Sequence, residues 1–235
     1  DIHELERKLN EELAEADKEI ALYAIGTMMN DLLEKYKHLP EIVSYLRDVQ
    51  SDILENREQF IARPPTQPGM SAIAPLLRDI SLRKYEVNVI ADSSPLKGAP
   101  VVIELNPTYT NLFGRIEKEA VFGALTTDFT LIISGSLHRA NGGFLVIPVE
   151  ELFKNQFSWD GLKRATKNGR ITIEDPAERY GFLTTKTLSP GPIPLDLKVV
   201  LIGDPYVYQL LYAYDPDFSE LFKVKAHFDV DMKKT

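Results

Sequence analysis

The apolar positions at the start of the chain follow a helical period, with Glu and Lys between them. They recur at spacings of three and four, at Leu5, Leu9, Leu13, Ala16 and Ile20. This pattern predicts a helix from residue 1 to about 38. Pro40 ends that helix and suits the first turn of a second helix over 41–60. Residues 1–62 are therefore predicted to form a helical hairpin, either a solvated coiled-coil-like arm or a partner-binding surface.

Prolines interrupt this pattern at Pro64, Pro65 and Pro68. Because proline is excluded from helix interiors and central strands, residues 63–72 are predicted to be a linker at the domain boundary. After the linker, short β-rich runs alternate with helical patterns. The β-rich runs are 85–91, 101–105, 129–133, 144–147, 171–173, 182–188 and 199–202, and the helical patterns are 149–153, 159–167 and 206–212.

Two of the β-rich runs, 144–147 and 199–202, are continuously apolar and bounded by Gly or Pro. Such runs are typical of parallel strands covered on both faces. Residues 73–235 are therefore predicted to be an α/β domain with a parallel sheet, flanking helices and an antiparallel β-hairpin around 170–190.

Charge and composition exclude several classes of partner. The net charge of −8 resides in residues 1–62, which hold fifteen acids and seven bases, whereas the rest is balanced. No basic footprint for nucleic acid is present, and no apolar run is long enough to span a membrane. The absence of cysteine fits a reducing compartment, so a cytoplasmic location is predicted. Because the chain starts within a helical pattern and without Met, we interpret it as part of a longer protein. The four histidines lack ligand spacing, which argues against a metal site.

Several ordered motifs carry a family resemblance. They are Asn106–Tyr109, Leu112–Glu117, Ser134–Ile147, Pro192–Gly203 and Asp215–Val224. Together they resemble the AAA+ module of Lon-related proteases, especially the archaeal-type branch and its bacterial relatives. The resemblance covers about 85–232, with the helical arm as the family's insertion, and implies an AAA+-like fold.

The resemblance also implies where nucleotide chemistry would lie. ATP-hydrolysing relatives need a P-loop ending in Gly-Lys-Ser/Thr, and this sequence contains no Gly-Lys pair. The family places that motif upstream of the helical insertion. At the Walker B carboxylate position stands Pro148, followed by Val149, and proline offers no metal ligand. Glu150 and Glu151 come one or two positions late. They either stabilise a helix N-terminus or take over a catalytic role. No cofactor is therefore expected in this chain, although the parent protein could use ATP and Mg²⁺.

Two further positions depart from the family pattern. Asp204 stands at the sensor-1 position, and Asp204-Pro205 could equally cap the helix that follows. The arginine-finger region offers Lys223 and Lys225 but no arginine, and lysine matches a planar phosphate fork less well.

Residues 119–126 correspond to the loop with which AAA+ unfoldases grip polypeptide. Phe122 and Leu125 flank the flexible Gly123 there. The alternative is core packing of a short helix.

The resemblance implies the substrate-engaging part of a Lon-related serine protease, with a degenerate or absent ATPase. The Ser-Lys peptidase of that family lies in a separate domain, so no catalytic residue is expected in this chain. The expected partners are unfolded proteins and further copies of the same protein in a hexameric ring, with no nucleic acid and no membrane. The alternatives are a non-enzymatic scaffold or adaptor, and part of a competent ATPase whose P-loop lies upstream.

Overall fold

A computed structural model describes residues 2–56, 60, 82–121, 123–155, 157–174 and 188–227. The chain divides into two compact units, Asp1–Glu86 and Val87–Thr235. The predicted linker at 63–72 lies outside the described residues, so the domain boundary placed there stays a prediction. Within the described residues, no helix has the length and apolar character needed to cross a membrane.

The first unit contains two long helices that pack against each other. Helix α1 spans Ile2–Lys35 and α2 spans Pro40–Glu55. As predicted, the second helix starts at Pro40, whose missing N–H costs nothing in a first turn. It ends about five residues earlier than predicted. Asn56 is the reason, because its side chain donates hydrogen bonds to the Asp52 carbonyl and, at 2.8 Å, to the Asp52 carboxylate.

A 3₁₀ turn, Arg83–Tyr85, contacts α2 through a hydrogen bond and an ion pair. The Tyr85 hydroxyl donates to Asp52 Oδ2 at 2.5 Å, and Lys84 Nζ lies 2.6 Å from the same oxygen. The hydrogen bond from Lys84, helped by that from Tyr85, holds the pKa of Asp52 below its usual value.

The predicted strand at 85–91 is wrong, since no strand forms there. The segment is held instead by the Asn88 side chain, which donates to the carbonyls of Phe129 and Ile132.

A 3₁₀ turn covers Phe129–Leu131 in the second unit. The second unit as a whole is a mixed α/β structure, as predicted. Its strands and helices, in chain order, are β1 Val101–Ile103, α3 Tyr109–Phe113, β2 Arg115–Ile116, β3 Glu119–Val121, β4 Ala124–Thr126, β5 Ile132–Ile133, α4 Ser136–Arg139, β6 Phe144–Pro148, α5 Val149–Lys154, α6 Ser158–Asn168, β7 Arg170–Ile171, β8 Ile193–Pro194, β9 Lys198–Ile202, α7 Pro205–Tyr214 and α8 Pro216–Leu221.

The central sheet is parallel, with strand order β1-β6-β9. Strand β6 is in the middle, with Leu145 opposite Val102 on one side and Val199 on the other. Three antiparallel pairs accompany it: β2 with β5, β3 with β4, and β7 with β8. The hairpin predicted around 170–190 is matched at its start by β7, whose partner β8 lies just beyond that range. Residues 175–187, which hold most of the predicted second strand at 182–188, are outside the described part.

The two faces of the parallel sheet differ in burial. Leu145 and Ile147 are 0% exposed and belong to the main core with side chains from α3, α4, α5 and α6. On the other face, Ile103 is 64% exposed and Ile202 is 58% exposed. The expectation that these strands are covered on both faces is therefore wrong for one face in the described structure. A continuous apolar run does not reveal which of its two faces is covered.

Two glycines in the recognised motifs let α3 and α4 approach each other closely. Gly114 ends α3 with a φ of +84°, and a Cβ there would lie 2.3 Å from the Ile133 carbonyl oxygen. A Cβ at Gly135 would lie 2.2 Å from the Leu112 carbonyl oxygen. Any larger residue at either position would force the backbone apart.

The unequal burial predicts unequal sensitivity to truncation. Ile147→Ala should lower the free energy of unfolding by about 2–5 kcal/mol, because it leaves a cavity in a packed core. Ile103→Ala is the matched control on the neighbouring strand, and its effect should stay within about 0.5 kcal/mol, as for surface positions. Urea unfolding can be followed by the fluorescence of the single tryptophan, Trp159, which is in the core. Equal losses for the two variants would contradict the one-sided burial.

Candidate functional site

The carboxyl ends of β6 and β9 meet at the position where the family motifs predict nucleotide chemistry. Pro148 is the last residue of β6, and Val149 opens α5 directly after it. Val149 is buried, and a Cβ at Gly203 would lie 2.2 Å from its Cγ1 atom. The strand end is therefore packed tightly against the backbone that follows β9.

Glu150 and Glu151 both lie in the first turn of α5, where a negative charge favours the helix. The Glu150 carboxylate reaches across the sheet end and accepts a hydrogen bond from the Asp204 backbone N–H at 2.9 Å. Glu151 instead pairs with Lys154 along the same helix, at 2.6 Å. Glu150 therefore ties α5 to the end of β9, whereas Glu151 makes a local surface pair.

Asp204 is the N-cap of α7. Its Oδ1 atom accepts a hydrogen bond from the Tyr206 N–H at 2.7 Å, and Pro205 occupies the first helical position. Asp204-Pro205 was interpreted either as the sensor-1 position or as a cap of the following helix, and this geometry is that of a helix cap. The carboxylate satisfies one of the backbone donors left unpaired at a helix start.

The side chains at these strand ends either lack a ligand atom or bond to the backbone. Pro148 has no ligand atom, and one oxygen of each carboxylate, Glu150 and Asp204, accepts a hydrogen bond from a backbone N–H. The sequence contains no Gly-Lys pair to form a P-loop. Across the described ranges, no cluster of three His, Asp or Glu side chains could hold a metal ion.

The predicted finger region follows α8. Lys223 and Lys225 are both exposed, and Lys225 Nζ lies 4.2 Å from the centroid of the Tyr208 ring. Such a cation–π contact orients the ammonium group along the protein's own surface. The structure thus gives Lys225 a local partner.

A polar network beside this region was not anticipated from the sequence. Asp215 Oδ2 accepts hydrogen bonds from Trp159 Nε1 at 2.7 Å and from Lys163 Nζ at 2.9 Å. Burial raises the pKa of Asp215, but the hydrogen bonds from Lys163 and Trp159 outweigh it and lower the pKa overall. The same carboxyl group caps α8 through the N–H of Asp217. It joins α6 to α8 across more than fifty residues of sequence, which no local spacing reveals.

His138 is buried and bonds to the backbone of its own turn. It is only 4% exposed, and its Nδ1 atom accepts a hydrogen bond from the Gly135 N–H at 3.2 Å. Burial, with a smaller contribution from Arg139, lowers its pKa to about 4. Ser136 Oγ donates to the Asn111 carbonyl.

The predicted substrate-gripping segment is a β-hairpin made of β3 and β4, not a short helix. Gly123 lies in the turn with a φ of +82°, which glycine adopts without strain. Leu125 is 74% exposed. Phe122, the other predicted gripping residue, lies outside the described residues.

Comparison with known proteins agrees with these motifs. The family model described as "LonB-like, AAA domain" matches residues 97–229, which is more than half of the chain. The chain belongs to this LonB-like AAA family. It is also similar to the Putative Lon protease homolog of Escherichia coli (strain K12), with 30% identity over 113 residues. That alignment covers 45% of this chain but only 18% of the relative.

The residues matched by the LonB-like family include the strand ends described above. They cover β6, β9 and both loops that follow these strands. In this member, the acidic side chains at these loops stabilise the backbone. Within the LonB-like match, Pro148 has no ligand atom and the Glu150 and Asp204 carboxylates accept hydrogen bonds from the backbone.

This donor set predicts how the chain responds to nucleotide. Because Pro148 cannot engage Mg²⁺ and Glu150 is bonded to backbone, the chain should bind Mg-ATP negligibly. Isothermal titration with millimolar nucleotide should give no binding heat. A micromolar dissociation constant would contradict this interpretation of the site.

Proposed function

We propose that this chain is the substrate-engaging AAA+-like part of a Lon-related serine protease that degrades unfolded proteins. The observation that carries the proposal is Leu125, 74% exposed on the β3–β4 hairpin, within the residues matched by the LonB-like AAA family. The Ser-Lys peptidase would belong to another part of the same polypeptide, and the full protein would assemble as a six-membered ring in the cytoplasm.

The proposal gives this chain no ATPase activity. Pro148, Glu150 and Asp204 together support that view, since one has no ligand atom and the other two hold the backbone. Substrate engagement would then depend on binding alone. A P-loop elsewhere in the protein would still lack its Walker B carboxylate at this position.

The hairpin suits contact with unfolded chains, which expose apolar side chains. Burying a side chain such as Leu125 is worth about 1.5–3 kcal/mol relative to leaving it in water. Each contact would be weak and reversible. About six copies around a ring would raise the overall affinity through effective concentration, and Gly123 would let the turn follow an irregular chain.

The proposal is tested by replacing Phe122 and Leu125 with Ser in the full-length protein. Degradation of an unfolded substrate such as casein should become slower by about tenfold, the ratio expected from losing about 1.4 kcal/mol of contact. Cleavage of a short peptide should be nearly unchanged, because a peptide can diffuse to the peptidase without being gripped.

Leu105→Ser is the matched control, because Leu105 is also largely exposed, at 68%, but lies outside the hairpin. It should leave both activities near those of the wild-type protein. Equal loss of casein and peptide cleavage in the double variant would indicate misfolding instead of lost contact. A full-length protein that cleaves neither substrate would favour the scaffold or adaptor alternative.

A further inference from the structure

The β3–β4 hairpin is an isolated two-stranded sheet within the described residues. Val121 pairs with Ala124 across the two-residue turn, so these two residues form the hydrogen-bonded pair that closes the hairpin. Ala120 and Leu125 are the next pair, and ladder alternation makes them the non-hydrogen-bonded pair. Their backbone N–H and C=O groups therefore point away from the hairpin, toward its two outer edges.

Neither edge is covered by another strand in the part of the chain that the structure describes. No backbone hydrogen bond from the N–H or C=O of Leu125 to another described residue is present. Its side chain is 74% exposed beside those two polar groups. The outer edge of β4 thus combines a backbone donor and a backbone acceptor that have no partner among the described residues with an apolar side chain.

The two edges differ in how they are protected. Natural sheets guard open edges with charged side chains, which discourage further strand pairing. Within the strands themselves, β3 carries one charged residue, Glu119, and β4, Ala124 to Thr126, carries none. The uncharged edge of β4 is therefore the one open to an additional strand.

We propose that an extended segment of unfolded polypeptide adds to the outer edge of β4 as a third strand. The Leu125 N–H and C=O would form main-chain hydrogen bonds with it, and the Leu125 side chain would contact an apolar side chain of the incoming segment. This inference rests on the proposed function, and it specifies the form in which substrate binds there.

The geometry defines the substrate class. Main-chain hydrogen bonds do not depend on sequence, because every residue except proline offers the same donor and acceptor. Strand β4 has three residues, so it contacts a segment of only about 10 Å. The preferred segment is extended, uncharged, free of proline and apolar at the residue beside Leu125. Folded domains, whose backbone groups are already paired, would not compete.

The decisive comparison is between Leu125→Pro and Leu125→Ser in the full-length protein. Both variants lose the leucine side chain, but only the proline variant also loses the outward N–H. Binding of fluorescently labelled casein should be at least about fivefold weaker for Leu125→Pro than for Leu125→Ser, the ratio expected for one hydrogen bond. Ala120→Pro deletes the outward N–H of the opposite edge and should bind within about twofold of wild type, less than one hydrogen bond's effect.

Equal binding by Leu125→Pro and Leu125→Ser, or an equal loss in Ala120→Pro, would overturn the strand-addition inference. Failure of the full-length wild-type protein to bind casein at all would instead refute the proposed function. Far-UV circular dichroism checks that each variant is folded.

A second measurement leaves the protein unaltered. In the full-length wild-type protein, an apolar peptide with all its amide nitrogens methylated should bind at least about fivefold more weakly than the unmethylated peptide, because it cannot donate to the Leu125 carbonyl. Equal binding of the two peptides would also overturn the inference.

Discussion

The packing of β6 is the constraint on which the second unit depends. This strand bonds to β1 on one side and β9 on the other, and it buries Leu145 and Ile147 completely beneath the helices. Its parallel register with β9 brings Pro148 level with Ile202. The loops after the two strands therefore lie side by side, which brings Glu150 within hydrogen-bond distance of Asp204.

At that meeting point the acidic side chains hold the backbone. Glu150 accepts from the Asp204 N–H, and Asp204 caps α7 in turn. An AAA domain that hydrolyses ATP has to keep a carboxylate at the strand end available for Mg²⁺. Here proline occupies that place, and the Glu150 and Asp204 carboxylates accept hydrogen bonds from the loop and helix that follow β9. For this reason the chain can keep the LonB-like fold while lacking ATP hydrolysis, as proposed.

The sequence predicted the features that depend on local chemistry. Pro40 and Pro205 mark helix starts, and the apolar run 144–147 is the central strand. It misjudged features set by side-chain capping or by distant contacts. The predicted strand 129–133 begins as a 3₁₀ turn, because Asp128 accepts a hydrogen bond from the Thr130 N–H. The hairpin at 119–126 is short and apolar, and periodicity alone cannot separate a strand from a helix in such a run. The bonds from Trp159 and Lys163 to Asp215 join distant parts of the chain and leave no local signal.

The central claim is that the carboxylates at the end of β6 are structural groups and not metal ligands. The most direct test is the free energy of unfolding with and without Mg²⁺ for the wild-type chain, Glu150→Ala and Glu151→Ala. Glu150→Ala should lose about 0.5–1.5 kcal/mol, the net value of its hydrogen bond, and Mg²⁺ should change none of the three values. A stabilisation by Mg²⁺ that Glu150→Ala abolishes and Glu151→Ala preserves would contradict the account.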